Sequence, residues 1–183
     1  MARQFDRQKL RDQSGFTLIE MLVVVIILGI LAMIIVPQIT VSTEDARLST
    51  MQTNLNSVRG AIEAYYAHHG SYPATVSETD GTSAIADADA CKAAFKAQLG
   101  KFTDLKGAAV DVKDDDHPYG PYLKFGLPAN PYVEDATETV NVLCDKDQKD
   151  ISTSRASNGT AGWQYWAPLG LFFANDSDAH AKM

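Results

Sequence analysis

Four sets of side chains along the chain have types and spacings suited to chemistry. Cys91 and Cys144 are the only cysteines. They close a disulfide if the domain folds in an oxidising compartment, or stay as two buried free thiols, and without a matched histidine pair they do not spell a zinc site. Asp114, Asp115 and Asp116 form an acidic run, and Asp145 and Asp147 follow the second cysteine. Calcium takes six to eight oxygens from carboxylates and carbonyls, so these five are calcium candidates, although no EF-hand spacing orders them and such a run also serves as solvated surface. His68 and His69 stand together at the end of a helical stretch, where an imidazolium suits the negative end of the helix dipole. The fourth is Glu20, a lone acid in the stretch GFTLIEMLVVVIILG. No Ser/His/Asp or Cys/His set, phosphate-binding loop or paired-carboxylate motif is recognisable, so the chain reads as a non-enzyme.

The elements around Glu20 are those of a membrane anchor. No charged residue occurs from Met21 to Thr43, and with Phe16–Ile19 the apolar run reaches about the 20 residues a helix needs to span a bilayer. The 183-residue chain has a formal charge of -7, but residues 1–15 carry Arg3, Arg7, Lys9 and Arg11 against Asp6 and Asp12, a net of +2. The basic head precedes the span and Glu44 and Asp45 follow it, which puts the N-terminus in the cytoplasm and the acidic body outside. The acidic balance also argues against nucleic-acid binding. A secretory signal would end its apolar core at a small-residue cleavage site, whereas this run ends in Ile35-Val36-Pro37-Gln38 and helical sequence continues.

Beyond Pro37, Leu48, Met51, Leu55, Val58, Ile62 and Tyr65 recur at steps of three and four, one apolar stripe on an amphipathic helix. Gly70 and Pro73 terminate it. The spacing predicts a nearly continuous helix from about Thr17 to His69, roughly 80 Å long, with Gly29 and Pro37 as points of flexibility and Pro37 as the site of a kink. A short helix capped by Asp87 or Asp89 and ended by Gly100 follows, with Cys91, Phe95 and Leu99 on one face. Short strands are expected at Leu123–Phe125 and Thr137–Leu143. Gly162–Trp166 and Leu169–Ala174 read as a terminal hairpin around Ala167-Pro168, with Trp163, Tyr165 and Trp166 as packing residues. The fold class is α+β: a long N-terminal helix packed on a small antiparallel sheet.

Gly15-Phe16-Thr17-Leu18-Ile19-Glu20, followed by the apolar run, resembles the processing site of type IV pilins and the pseudopilins of type II secretion. The likeness extends over about residues 8–73, and Tyr119–Pro131 and Gly162–Asn175 resemble the C-terminal part of some secretion-type pilin proteins. The resemblance implies a pilin-like division: a leader at residues 1–15, a transmembrane and filament-core helix at 16–43, and a globular domain at 44–183 that includes the amphipathic helix to about 70. It implies that a prepilin peptidase cuts between Gly15 and Phe16 and methylates the new Phe16 amine. It implies partners: other pilin-like subunits in a homo-oligomeric filament, and an inner-membrane assembly platform driven by a cytoplasmic ATPase. The protein would be a single-pass inner-membrane subunit with a periplasmic domain, assembling into a secretion pseudopilus or a surface pilus and needing no cofactor.

Within that resemblance Glu20 acquires a role. An acid at the bilayer centre costs roughly 2.5–3.5 kcal/mol on insertion scales, so it calls for a partner. The Phe16 amine of a neighbouring subunit supplies one, and the Phe16 amine of the same chain, one turn away, is the intramolecular alternative. The rival from another class is a membrane-anchored periplasmic binding module that never polymerises. Such a module needs neither a cut at Gly15 nor an acid at position 20. A membrane-anchored enzyme is a third reading, and the missing catalytic set stands against it.

Overall fold

The computed structural model describes residues 16–133, 138–144 and 161–183; for residues 36–42, 138 and 139 it describes the backbone alone. Helix α1 spans Leu18–His69 and its assignment runs unbroken through Gly29 and Pro37. The chain divides into two compact units, one ending at Glu44 and one beginning at Asp45.

In the first unit the helical residues Leu18–Ile35 are long and apolar enough to cross a membrane, and none of them is buried. Eighteen residues at 1.5 Å each reach about 27 Å, close to the hydrocarbon thickness of a bilayer. Apolar side chains point outward all round, the pattern of a helix whose solvent is lipid or other helices.

The second unit is built on the last part of α1. Met51, Leu55, Val58, Ile62 and Tyr65 are all buried, and Leu48 packs at the edge of the same cluster. The helix stops at Gly70, whose φ of 68° lies in the left-handed region and whose N–H donates to the Tyr66 carbonyl at 2.8 Å. That is the usual way a glycine closes a helix. Helix α2, Ala88–Gly100, starts at Asp87, whose carboxylate accepts from the Ala90 N–H at 2.8 Å. Its buried residues Cys91, Ala94, Phe95, Gln98 and Leu99 make one stripe of helical period.

Strands β1 (Phe102–Thr103) and β2 (Ala109–Val110) form a small antiparallel pair. Strands β3 (Glu138–Leu143), β4 (Ala161–Trp166) and β5 (Leu171–Ala174) form the main sheet in the order β3-β4-β5. Val140 and Val142 on β3 pair with Trp163 and Tyr165 on β4, and Tyr165 pairs in turn with Phe172 on β5. All five are buried in the cluster that also holds the α1 and α2 stripes. The rings of Phe95 and Tyr165 lie 4.2 Å apart, so α2 closes on the sheet through aromatic packing.

The α+β class stands, with two differences in detail. The main sheet is mixed: β4 and β5 are the expected antiparallel hairpin, joined through a 3₁₀ turn at Ala167–Leu169 and Gly170 (φ 66°), but β3 runs parallel to β4. Parallel neighbours need a connection of a dozen or more residues, and the separation of Leu143 from Ala161 allows it. Leu123–Phe125 is not a strand. The backbone turns there, with the Gly126 N–H donating to the Leu123 carbonyl at 3.1 Å, while the Tyr122 and Leu123 N–H groups both donate to the Leu99 carbonyl at the end of α2.

Candidate functional site

At the start of α1, Thr17 and Glu20 form a reciprocal cap. The Thr17 N–H donates to Glu20 Oε2 at 2.7 Å, the Thr17 hydroxyl donates to the same oxygen at 2.7 Å, and the Glu20 N–H donates back to Thr17 Oγ1 at 3.3 Å. Thr-x-x-Glu is the capping-box pattern, which satisfies amide donors that a helix start leaves without partners. The carboxylate also sits in the first turn, where the helix dipole favours negative charge. Phe16 is exposed beside it. The spacing alone showed the acid; that its oxygen is held by Thr17 was not anticipated, although T-x-x-E before an apolar run is a readable signal. Gly15 lies outside the described residues. Gly29 has open space around the position a Cβ would take.

Cys91 on α2 and Cys144, just after β3, are joined as a disulfide. The bridge ties the helix to the sheet across a sequence separation of 53 residues. The aromatic residues of β4 serve as packing and anchoring groups. Trp163 Nε1 donates to the Pro128 carbonyl at 2.7 Å and the Tyr165 hydroxyl donates to the Pro73 carbonyl at 3.1 Å, pinning the proline-rich loop and the exit from α1 to the sheet.

Of the calcium candidates, Asp114 turns its carboxylate inward on its own loop. Its Oδ1 accepts from the N–H groups of Asp116 and His117 and lies 2.6 Å from His117 Nδ1. These contacts, led by the His117 side chain, hold its carboxyl below the usual carboxylate range. Asp115 and Asp116 are exposed, and Asp145 and Asp147 lie outside the described residues. Among the described residues no three His, Cys, Asp or Glu side chains gather as a metal site.

The histidine pair sits in company that its sequence context does not reveal. His68 Nδ1 is 2.8 Å and His69 Nε2 3.1 Å from the Tyr122 hydroxyl, and His69 Nε2 is also 3.1 Å from the Thr103 hydroxyl. His69 Nδ1 donates to the Leu105 carbonyl at 3.2 Å. Tyr119 packs against both imidazoles and Tyr65 stacks on His69 at 4.0 Å. Burial pushes the His69 imidazole below its ordinary pKa, and burial raises the Tyr122 phenol to about 12. Fifty residues separate the pair from Tyr119 and Tyr122, so no local spacing could have joined them.

Comparison with known proteins points to the first of these regions. Residues 10–36 match the family described as the prokaryotic N-terminal methylation motif. Over 65 residues, 36% of this chain and 46% of the relative, the sequence is 42% identical to a type II secretion system core protein G of Pseudomonas aeruginosa. It is 40% identical over 68 residues to the protein of that name from Vibrio cholerae, covering 37% of this chain and 47% of the relative. A type IV major pilin protein of Neisseria gonorrhoeae is 38% identical over 61 residues, covering 33% and 37%. The chain thus spans about half the length of the curated relatives it matches. No solved structure matches it. The likeness to type II secretion core proteins G and to a type IV pilin is therefore shown for about a third of the chain, and the methylation motif lies at residues 10–36.

Proposed function

We propose that the protein is a structural subunit of a type II secretion pseudopilus or a related type IV pilus-like filament. The observation that carries this reading is the methylation motif at residues 10–36 running into a fully exposed apolar helix with Glu20 in its first turn. A prepilin peptidase cuts after Gly15 and methylates Phe16. The processed subunit waits in the inner membrane with its acidic domain on the periplasmic side, and the assembly platform and its ATPase then move it into a filament with other pilin-like subunits. Secretion core proteins G among the relatives favour the pseudopilus over the surface pilus.

Glu20 is the assembly residue in this account. Within one chain its carboxylate is held by Thr17 alone among the described contacts. Cleavage creates a cationic amine on Phe16, and bundling of helices excludes water and strengthens the attraction between that amine and Glu20 of a neighbour. A misplaced stagger leaves both charges without a partner, which selects the register. Glu20→Ala is expected to be cut at Gly15 and inserted in the membrane normally, and to be lost from filaments recovered by shearing or crosslinking. Wild-type incorporation of Glu20→Ala would overturn the role.

A further inference from the structure

The two halves of the Cys91–Cys144 bridge face different surroundings. Cys91 is 0% exposed and belongs to the core cluster, whereas Cys144 is only partly buried and packs against that cluster from its edge. Two surface clefts reach Cys144. The larger, of about 360 Å³, is walled by Ala74, Ala84, Ile85, Ala167 and Pro168, and the smaller, of about 280 Å³, by residues that include Ile85 and Asp87. Cys144 lines both clefts and Cys91 lines neither. Cys144 Sγ lies 3.2 Å from the Ala74 carbonyl, which puts the sulfur atom itself at the wall of the larger cleft.

We propose that Cys144 is the exchange site of this domain: it forms the mixed disulfide with an external, uncharged disulfide and hands the bond inward to Cys91. Exchange runs through a mixed disulfide, and the incoming, central and departing sulfurs stand close to one line. Seen from Cys144, Cys91 is on the core side and the clefts are on the solvent side, so only Cys144 has room to be the central sulfur. In the first step the Cys144 thiol loses its proton to solvent and attacks one sulfur of the external disulfide. A new S–S bond forms and the other external sulfur leaves as a thiolate that takes a proton back from solvent. In the second step the Cys91 thiol loses its proton and attacks Cys144 Sγ, and the remaining external sulfur departs through the cleft and is protonated. Two protein thiols are oxidised and one external disulfide is reduced to two thiols. Apolar walls on the larger cleft and the Asp87 carboxylate on the smaller favour an uncharged reagent over an anionic one. None of this depends on filament assembly.

The test is reoxidation of the reduced, detergent-solubilised full chain with limiting 2-hydroxyethyl disulfide, quenched with acid at short times and mapped by peptide mass spectrometry. The mixed disulfide is expected on Cys144 over Cys91 by about tenfold or more, because access decides which thiol reacts. Single-cysteine chains, checked for folding by near-ultraviolet circular dichroism, give the same comparison as rates. The thiol left in Cys91→Ser should react about tenfold or more faster than the thiol left in Cys144→Ser, and guanidinium chloride should bring the two rates together. For Cys91→Ser, the native rate divided by the denatured rate should be lower with anionic glutathione disulfide than with the neutral reagent. Adducts shared equally or favouring Cys91, equal native rates in the two single-cysteine chains, or a native preference for glutathione disulfide would overturn the proposal.

Discussion

Two stretches assigned to α1 obey opposite rules. Along Leu18–Ile35 apolar side chains face outward on every side and nothing is buried. Along Asp45–His69 a single stripe, Met51 to Tyr65, is buried and the remaining faces are largely polar, with Tyr66 the one large hydrophobic left exposed. The same backbone geometry therefore serves two solvents. In the first stretch burial within the described residues contributes nothing, and the informative residue is the one that breaks the apolar pattern, Glu20. In the second it depends on packing against α2 and the sheet, and the informative residues are those that keep the pattern.

Substitutions in the two stretches should therefore behave differently. The largest effect is expected in the core: Phe95→Ala, which empties the contact with Tyr165, should cost about 3–5 kcal/mol in denaturant unfolding of the domain. Leu28→Ala, a comparable deletion in the exposed span, should leave that transition where it was. An equal loss from both would mean that the two stretches share one stabilising environment. Reduction of the Cys91–Cys144 bridge should come next, at about 2–4 kcal/mol, read as a lower melting temperature with dithiothreitol. Asp87→Ala removes the α2 cap and should cost about 1 kcal/mol in the same denaturant assay.

The smallest effect is one of pH. The His69 imidazole has a folded pKa below its unfolded value of about 6.5, so the unfolded chain binds the extra proton first. Its contribution to stability is complete above that unfolded value and is lost as pH falls toward the folded pKa. Melting temperatures between pH 8 and pH 5 should fall on the acid side, and His69→Gln should flatten that slope. A slope unchanged in the variant would assign the acid sensitivity elsewhere.

Local pattern carried far in this sequence. The Met51–Tyr65 stripe, the Asp87 cap with Gly100 at the end of α2, and the β4–β5 hairpin all follow from spacing and turn residues within a few positions of one another. The parallel partner of β4 did not, because register between β3 and β4 is set across a long connection that leaves no local mark. Leu123-Lys124-Phe125 has strand-forming types, yet its backbone turns instead, with Gly126 at φ 75° and the Tyr122 and Leu123 N–H groups both donating to the Leu99 carbonyl. The candidate site divides the same way. Glu20 announces itself by its cost in an apolar run, whereas His68 and His69 gain meaning from Thr103 and Tyr122, which only the tertiary fold brings near.

The central claim is that the opening stretch is a processing and assembly signal rather than a plain anchor. N-terminal mass spectrometry of the protein extracted from membranes tests it most directly. The account predicts a chain beginning at N-methylated Phe16; an intact Met1–Gly15 leader in wild-type cells would contradict it.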